Sequence, residues 1–409
     1  MVSSYLVLSL MKNKADERKI RRSWTRRIIK IFFFAFFIFV VSGISLIIID
    51  HYLFPYLASS KWLGKYEFFK KATENVVVVN KTEQVAVSED QTISSYSNKS
   101  ASSVAEILSF QEEKVSGKQK EAEVKSGSGL IITADGLILT YKDALLEGQA
   151  KYRIFTQKDT FFEARLVMID NFTNLALLKI DGVENLPVAS FIAPEDMKTG
   201  MKAVTIGRSG RNFQPIYKFG IVSQYDTDFS LAGALPFSEK LQGVYLSDFN
   251  MNEAGDDRFI GGGVTSYSGD VIGILGRQKI SDQRQYFIIP PDIIQEFVNQ
   301  YLSSGSVKRG SLGVYYQSLS SESAAPFGRG DRGALIYSPS GQQGLAVLAG
   351  SAAEKAGLKI NDIVLSVNGE EISPEKNLAR LVSQYKPGEE ISLKIVREGK
   401  EMEVKAVLQ

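Results

Sequence analysis

Cysteine is absent from the 409 residues, and histidine occurs once, at His51. The first absence excludes disulfides, thiolate metal sites and a thiol nucleophile. It fits an exported protein without requiring one. The second leaves a single imidazole for every acid–base or ligand role such a group serves. Net charge is small as well, at +2 from 48 Lys and Arg against 46 Asp and Glu. That balance gives no reason to expect a nucleic-acid partner. No cofactor and no metal are expected.

What is present is apolar. A hydrophobic fraction of 44% is enough for real cores, and 409 residues are too many for one ordinary domain. The stretch from Ile31 to Ile49 carries no charged residue. As a helix rising about 1.5 Å per residue it spans roughly 28 Å, close to the ~30 Å core of a bilayer. Arg18, Lys19, Arg21, Arg22, Arg26, Arg27 and Lys30 precede it, which by the positive-inside rule keeps that end in the cytoplasm. Trp24, Tyr52, Phe54 and Tyr56 suit the two interfaces. A cleaved signal peptide is the alternative, but the run is long for one and no small-residue cleavage site follows closely. The expectation is a single-pass membrane protein. Its N-terminus is cytoplasmic and its C-terminal domains are extracytoplasmic, in the periplasm or at the cell surface.

Beyond the apolar run, residues 51–71 are aromatic and basic, and 72–100 are polar with one strand-like run, Val76 to Val79. From about 100 to 290 short apolar runs alternate with turn signals, as in an all-β fold of closed barrels. Leu130–Thr133 and Leu137–Thr140 flank an Asp135-Gly136 turn and read as a hairpin. Ala164–Ile169, Leu175–Ile180, Ala203–Ile206, Gly220–Gln224, Val244–Leu246, Val271–Leu275 and Tyr286–Ile289 are further strand candidates. Pro291–Leu302 reads as a helix with Ile294, Phe297, Val298 and Tyr301 on one face. After Arg309, Ala352–Ala356 and Pro374–Gln384 read as helices, and Ile363–Val367, Ile391–Val396 and Met402–Val407 as strands.

Several segments resemble the HtrA (Do-like) serine protease family in order and spacing. They are Gly127-Ser128-Gly129-Leu130, Asp135-Gly136-Leu137-Ile138-Leu139-Thr140, Asp170 to Ile180, Gly220-Ile221-Val222-Ser223 and Gly269 to Ile274. A second set resembles the PDZ domain that follows the protease in that family. It comprises Gly310-Ser311-Leu312-Gly313-Val314, Gly350 to Leu358, Asn361-Asp362-Ile363-Val364, Val367-Asn368-Gly369, Lys386-Pro387-Gly388 and Val396 to Lys400. The resemblance implies a mainly β chain with a two-barrel trypsin-like fold over 101–302 and a PDZ domain over 309–408. A basic segment (1–30), a membrane helix (31–49) and a juxtamembrane linker (50–100) precede them.

A trypsin-type triad joins a hydroxyl nucleophile, an imidazole and an orienting carboxylate. By the resemblance, Asp143 stands where the family has its histidine and Asn174 where it has its aspartate. Ile260 stands at the serine position, or Asp256 when the loop is counted from its other end. Arg258 and Phe259 replace small residues beside the expected oxyanion hole. A Ser–Lys dyad would need a serine in this loop, and Ser266 and Ser268 lie past it. A carboxylate pair from Asp143 with Asp256 or Asp257 is the other chemistry these residues allow. The expectation is therefore a chain that is not an enzyme: a scaffold, chaperone or regulator. The alternatives are an active serine-type endopeptidase of envelope quality control and an inactive subunit of an active relative.

PDZ domains take a C-terminal peptide as an added strand and cap its carboxylate with backbone N–H groups. The resemblance assigns that loop to Leu312, Gly313 and Val314. Leu378, Leu381 and Val382 are either the pocket for the last side chain or plain core. The partners expected are C-terminal or unfolded segments of exported proteins, and the family's habit of trimers adds further copies or an active relative. The strand after Gly313 has no evident neighbour in the sequence, which leaves its edge open to a peptide. Extra residues at Tyr337–Ala346 are positioned to cover it.

Overall fold

A computed structural model describes residues 30–53, 56, 98–115, 118–156, 161–208, 214–251, 253, 255–280, 283–319 and 332–409. Trp24, Phe54, the basic run before Lys30 and the strand-like run at Val76–Val79 lie outside the described residues, as does nearly all of 54–97. The chain forms two compact units, Met1–Ala86 and Val87–Gln409.

In the first unit, Lys30–Ile48 is one 19-residue helix whose apolar side chains are exposed, long and apolar enough to cross a membrane. A short π-helical turn, Ile49–Leu53, continues it and contains His51.

The second unit opens with a closed six-stranded barrel in the order β1-β2-β3-β6-β5-β4. Its strands are β1 (Val104–Val115), β2 (Lys118–Ile131), β3 (Leu137–Tyr141), β4 (Lys151–Phe155), β5 (Phe161–Ile169) and β6 (Leu175–Ile180). The hairpin read from the sequence is here, with Leu130 opposite Leu139 and Ile131 opposite Ile138. Gly136 takes the left-handed conformation the turn requires, and a Cβ there would meet Val183 at 2.7 Å. β3 is buried along its whole length because β2 and β6 flank it and both its faces are covered. β4 instead alternates, burying Tyr152 and Ile154 and leaving Lys151 exposed.

A second closed barrel follows in the order β10-β11-β12-β9-β8-β7. It uses β7 (Lys202–Arg208), β8 (Pro215–Ser230), β9 (Gln242–Ser247), β10 (Gly263–Ser266), β11 (Val271–Ile280) and β12 (Gln283–Ile289). Its buried Ile274, Phe287 and Ile289 share one core with Leu130, Leu139 and Leu177 of the first barrel. Burying an apolar side chain of this size contributes about 1.5–3 kcal/mol, so the barrel contact is a large stabilising surface. The helix Pro291–Ser304 starts on a proline whose missing N–H costs nothing in the first turn. It stops at Gly305, left-handed at φ 68°. Ile293, Ile294 and Phe297 are buried, with Val298 and Tyr301 packed against the same core.

A sheet in the order β13-β14-β15-β17-β18 completes the unit, with β16 (Glu370–Glu371) paired to β15. Its strands are β13 (Tyr316–Ser318), β14 (Ala334–Ile336), β15 (Ile363–Val367), β17 (Glu390–Arg397) and β18 (Lys400–Val407). The helix expected from Pro374 starts only at Leu378, because Asn377 stays extended and its side chain accepts from Arg380 N–H, capping the first turn. Arg309 ties the sheet to the barrels. Its guanidinium lies 2.6 Å from Glu296 and 3.2 Å from Asp170, and stacks over Phe172 at 4.8 Å.

Candidate functional site

The three residues that the resemblance puts at triad positions lie near the junction of the barrels: Asp143 pairs with Arg277 of the second barrel, Ile260 bonds to Ser128 of the first, and Asn174 bonds to the turn that holds Asp143. Asp143 sits in a single 3-10 turn, Lys142–Ala144, directly after β3. Asn174 is left-handed at φ 59°, a conformation asparagine tolerates, and its carbonyl accepts from Lys142 N–H at 2.8 Å. Its side-chain amide donates to the Tyr141 hydroxyl at 3.3 Å. Burial pushes the Tyr141 phenol well above its ordinary value, so it stays protonated.

Ile260 is fully buried at the end of the 3-10 turn Asp256–Phe259. Its carbonyl accepts from Ser128 N–H at 2.9 Å, which ties this loop to β2. The Ser128 hydroxyl donates to the Arg258 carbonyl at 2.6 Å, and the Thr140 hydroxyl to the Ser128 carbonyl at 2.7 Å. Gly261 fits only as glycine: φ is 78°, and a Cβ would fall 2.1 Å from the Thr140 hydroxyl. The N–H groups of Arg258, Ile260 and Gly262 donate to the carbonyls of Gly255, Asp257 and Phe259. In this conformation those amides are committed to the loop's own turns.

The cleft's charge is carried by a residue the sequence reading missed. Arg277 on β11 reaches Asp143 at 3.3 Å and Asp257 at 2.6 Å, and Arg284 adds a contact to Asp257 at 3.4 Å. The two carboxylates considered as a pair are thus bridged by a cation. Burial works against the charge of Arg277, but Asp257 and Asp143 hold its pKa above the usual guanidinium value. Asp256 turns the other way, nearly buried and 2.8 Å from Lys218. Ser266 and Ser268 bond to one another at 2.7 Å at the far end of β10.

The peptide loop at Leu312, Gly313 and Val314 is buried, and Gly313 adopts φ 82°. A Cβ there would lie 2.4 Å from Ser351 Cβ, so glycine is required. Leu378, Leu381 and Val382 are buried in the common core. The open edge expected beside Val314 is paired on both sides. Along one side, Tyr315 N–H donates to Ala346 and Tyr337 N–H to Tyr315, so part of the Tyr337–Ala346 insertion runs there. On the other, Ser238 N–H donates to Val314 at 3.0 Å and Tyr316 N–H to Pro236 at 3.1 Å. The second partner comes from the barrels, 76 residues away along the chain, a distance at which no local pattern signals a contact.

Comparison with known proteins bears on this arrangement. Residues 127–274 match the model of the trypsin-like peptidase domain, and residues 345–397 match that of the PDZ domain. A probable periplasmic serine endoprotease, DegP-like, of Hahella chejuensis is 31% identical over 284 residues, 68% of this chain and 56% of the relative. Its counterpart in a Marinomonas strain is 32% identical over 288 residues, 69% of this chain and 56% of the relative. The chain thus spans about half the length of the curated relatives it matches. Among solved structures, the HtrA-type protease AlgW with a tripeptide superposes at a TM-score of 0.61 and 23% identity, covering 77% of this chain and 96% of that one. A serine endoprotease from Yersinia pestis gives 0.51 at 21% identity, covering 80% and 99%. Fold and matches together define a trypsin-fold protein with a PDZ domain. The chain belongs to the HtrA family.

One expectation is corrected here. The chain was expected not to be an enzyme, and its relatives over this same stretch are named serine endoproteases. The expectation rested on the residues at the triad positions, on the single histidine and on the replacements beside the oxyanion hole, whereas the relatives' names fit an active protease. The periplasmic relatives and the apolar N-terminal helix also fit a membrane-anchored envelope protein.

Proposed function

We propose that the chain acts on exported polypeptides in envelope protein quality control, held to the membrane by Lys30–Ile48. The PDZ unit reads carboxylate-bearing ends of those polypeptides, and the cleft between the barrels takes their interior. Serine-type endopeptidase activity is the reaction its relatives' names support. The observation behind the proposal is the match to a periplasmic serine endoprotease across 68% of the chain, with residues 127–274, which reach into both barrels, matching the trypsin-like peptidase domain. Solved neighbours carrying a tripeptide and a decapeptide support the peptide reading.

The cleft sets the terms of any hydrolytic step. Its carboxylates, Asp143 and Asp257, are the groups at hand to accept a proton, and Arg277 between them is a fixed positive charge. The test is to incubate the full chain in detergent with an unfolded casein, following both retention on the protein and the appearance of fragments. A fluorophosphonate probe in the same samples reports an activated serine. Retention that a free C-terminus strengthens, together with fragments, is the expected result. Casein that neither binds nor fragments would overturn the proposal.

A further inference from the structure

The carboxylate loop of the PDZ unit already holds a carboxylate. Glu239, in the connection between β8 and β9, sends Oε1 to 2.7 Å from Leu312 N–H and 2.8 Å from Gly313 N–H. The Ser238 hydroxyl donates to the same oxygen at 2.8 Å and accepts from Val314 N–H at 3.0 Å. These are two of the three backbone donors that the resemblance assigns to a peptide's terminal carboxylate.

The residues before Glu239 complete the likeness. Phe237 pairs antiparallel with Tyr315, and their rings stack with centroids 4.5 Å apart. With the backbone bonds of Pro236 and Ser238, the segment Pro236-Phe237-Ser238 adds a strand to the edge a peptide ligand would use. It is held beyond Glu239 as well. Lys240 Nζ donates to the Asn171 carbonyl and Leu241 N–H to the Phe172 carbonyl at 2.9 Å. Gln242 then accepts from the Tyr316 hydroxyl at 2.5 Å. One oxygen of the docked group fits poorly: Oε2 is buried and has no hydrogen-bond partner within bonding geometry among the described residues. An unsatisfied buried acceptor costs free energy, so the segment is held less firmly than its bonds alone imply.

We infer that Pro236–Glu239 is an internal ligand of the PDZ groove, with the Glu239 side chain standing in for a C-terminal carboxylate, and that an external peptide binds by displacing it. This rests on the proposed reading of the groove as a peptide site. Affinity for an external peptide is then reduced by the fraction of molecules in which the groove is free.

The experiment has two readouts on the full chain in detergent. The first is amide hydrogen exchange over residues 311–316, which needs no ligand. The second is fluorescence anisotropy with a fluorescein-labelled peptide, Leu-Ala-Gly-Ala-Leu-Pro-Phe-Ser-Val with a free carboxylate. It copies the chain's own residues 231–238 and puts a real terminus where Glu239 stands. In Glu239→Ala, exchange over 311–316 should accelerate and the probe should bind tighter, each by about tenfold or more, since charge-assisted hydrogen bonds are lost. Glu239→Gln keeps one acceptor oxygen but buries an amide NH2 where Oε2 stood, and should fall between. It serves in place of the alanine variant should that one fail to fold by circular dichroism. Unchanged exchange in a folded variant overturns the inference, and so does probe affinity equal in wild type and variant. Faster exchange with no probe binding to either protein leaves Glu239 as the loop's ligand and overturns the peptide-reading function instead.

Discussion

Arg277 Nη2 stands 3.3 Å from Asp143 Oδ2, so a strand of the second barrel pairs across the cleft with the loop that ends β3 of the first. The same guanidinium holds Asp257 at 2.6 Å, and it is far less exposed than either partner. Removing it leaves two carboxylates facing each other with Arg284 touching only one. Because both acids are partly open to water, solvent screens much of the effect. Arg277→Ala should cost about 1–2 kcal/mol of stability, measured by urea unfolding. Adding Asp143→Asn and Asp257→Asn should restore part of it. A variant as stable as wild type would show that the cross-cleft pair carries no net attraction.

Ile260 makes a separate point about the cleft. Its side chain has no exposed surface and belongs to the core that joins the barrels. A hydroxyl in that place would lose apolar contact and be buried among hydrocarbon. Ile260→Ser should therefore destabilise by about 2–4 kcal/mol, read as a lower unfolding midpoint. A stable Ile260→Ser chain would mean that the side chain at this position faces the cleft rather than the core.

The barrels were legible because their signals are local. Alternation, turn residues and the Asp135-Gly136 hairpin lie within a few positions of one another, and the strands read from them match β2, β3, β5 to β9, β11 and β12. β1 was missed because it leads into a run of Gln, Glu and Lys, and β4 because its alternating Lys151–Phe155 is only five residues long. The cleft's side chains were harder to read. The resemblance put Asp143 and Asn174 at triad positions, whereas Arg277 lies 134 residues from the aspartate it pairs with and had no local signal. Glu239 likewise meets Gly313 across 74 residues, a separation at which no local pattern signals a contact. The groove that was expected to be open is filled for a reason that only tertiary contact reveals.

Lys30–Ile48 exposes its apolar side chains along its length, and the positive-inside rule predicts a cytoplasmic side for the basic run before it. External protease applied to intact spheroplasts should therefore digest the barrels and the PDZ unit and leave a short N-terminal fragment in the membrane pellet. A released, soluble protein whose mature N-terminus lies beyond Ile49 would show that the segment is removed instead.

Glu239 also makes the groove's occupancy depend on pH, with a defined sign. Burial raises its pKa above the ordinary value of 4.5, while Gly313 N–H, the Ser238 hydroxyl, Leu312 N–H and the Ser311 side chain oppose that rise without cancelling it. The titratable group facing it is the Tyr316 phenol, whose own pKa burial pushes far up, so it stays neutral in this range. Between 4.5 and the raised value, the docked carboxyl holds a proton that the released one does not. Docking is then favoured at the acidic end of that window and weakens as pH rises through it. The ratio of probe affinity in Glu239→Ala to that in wild type should therefore fall as pH climbs from 4.5 through this window, and then level off. The probe's own terminal carboxylate is mostly ionised at the start of the window, at a pKa of about 3.3–3.7, and its residual titration cancels in the ratio. A ratio that stays flat, or that rises with pH, would show that Glu239 docks as the charged form throughout and that burial does not govern its proton.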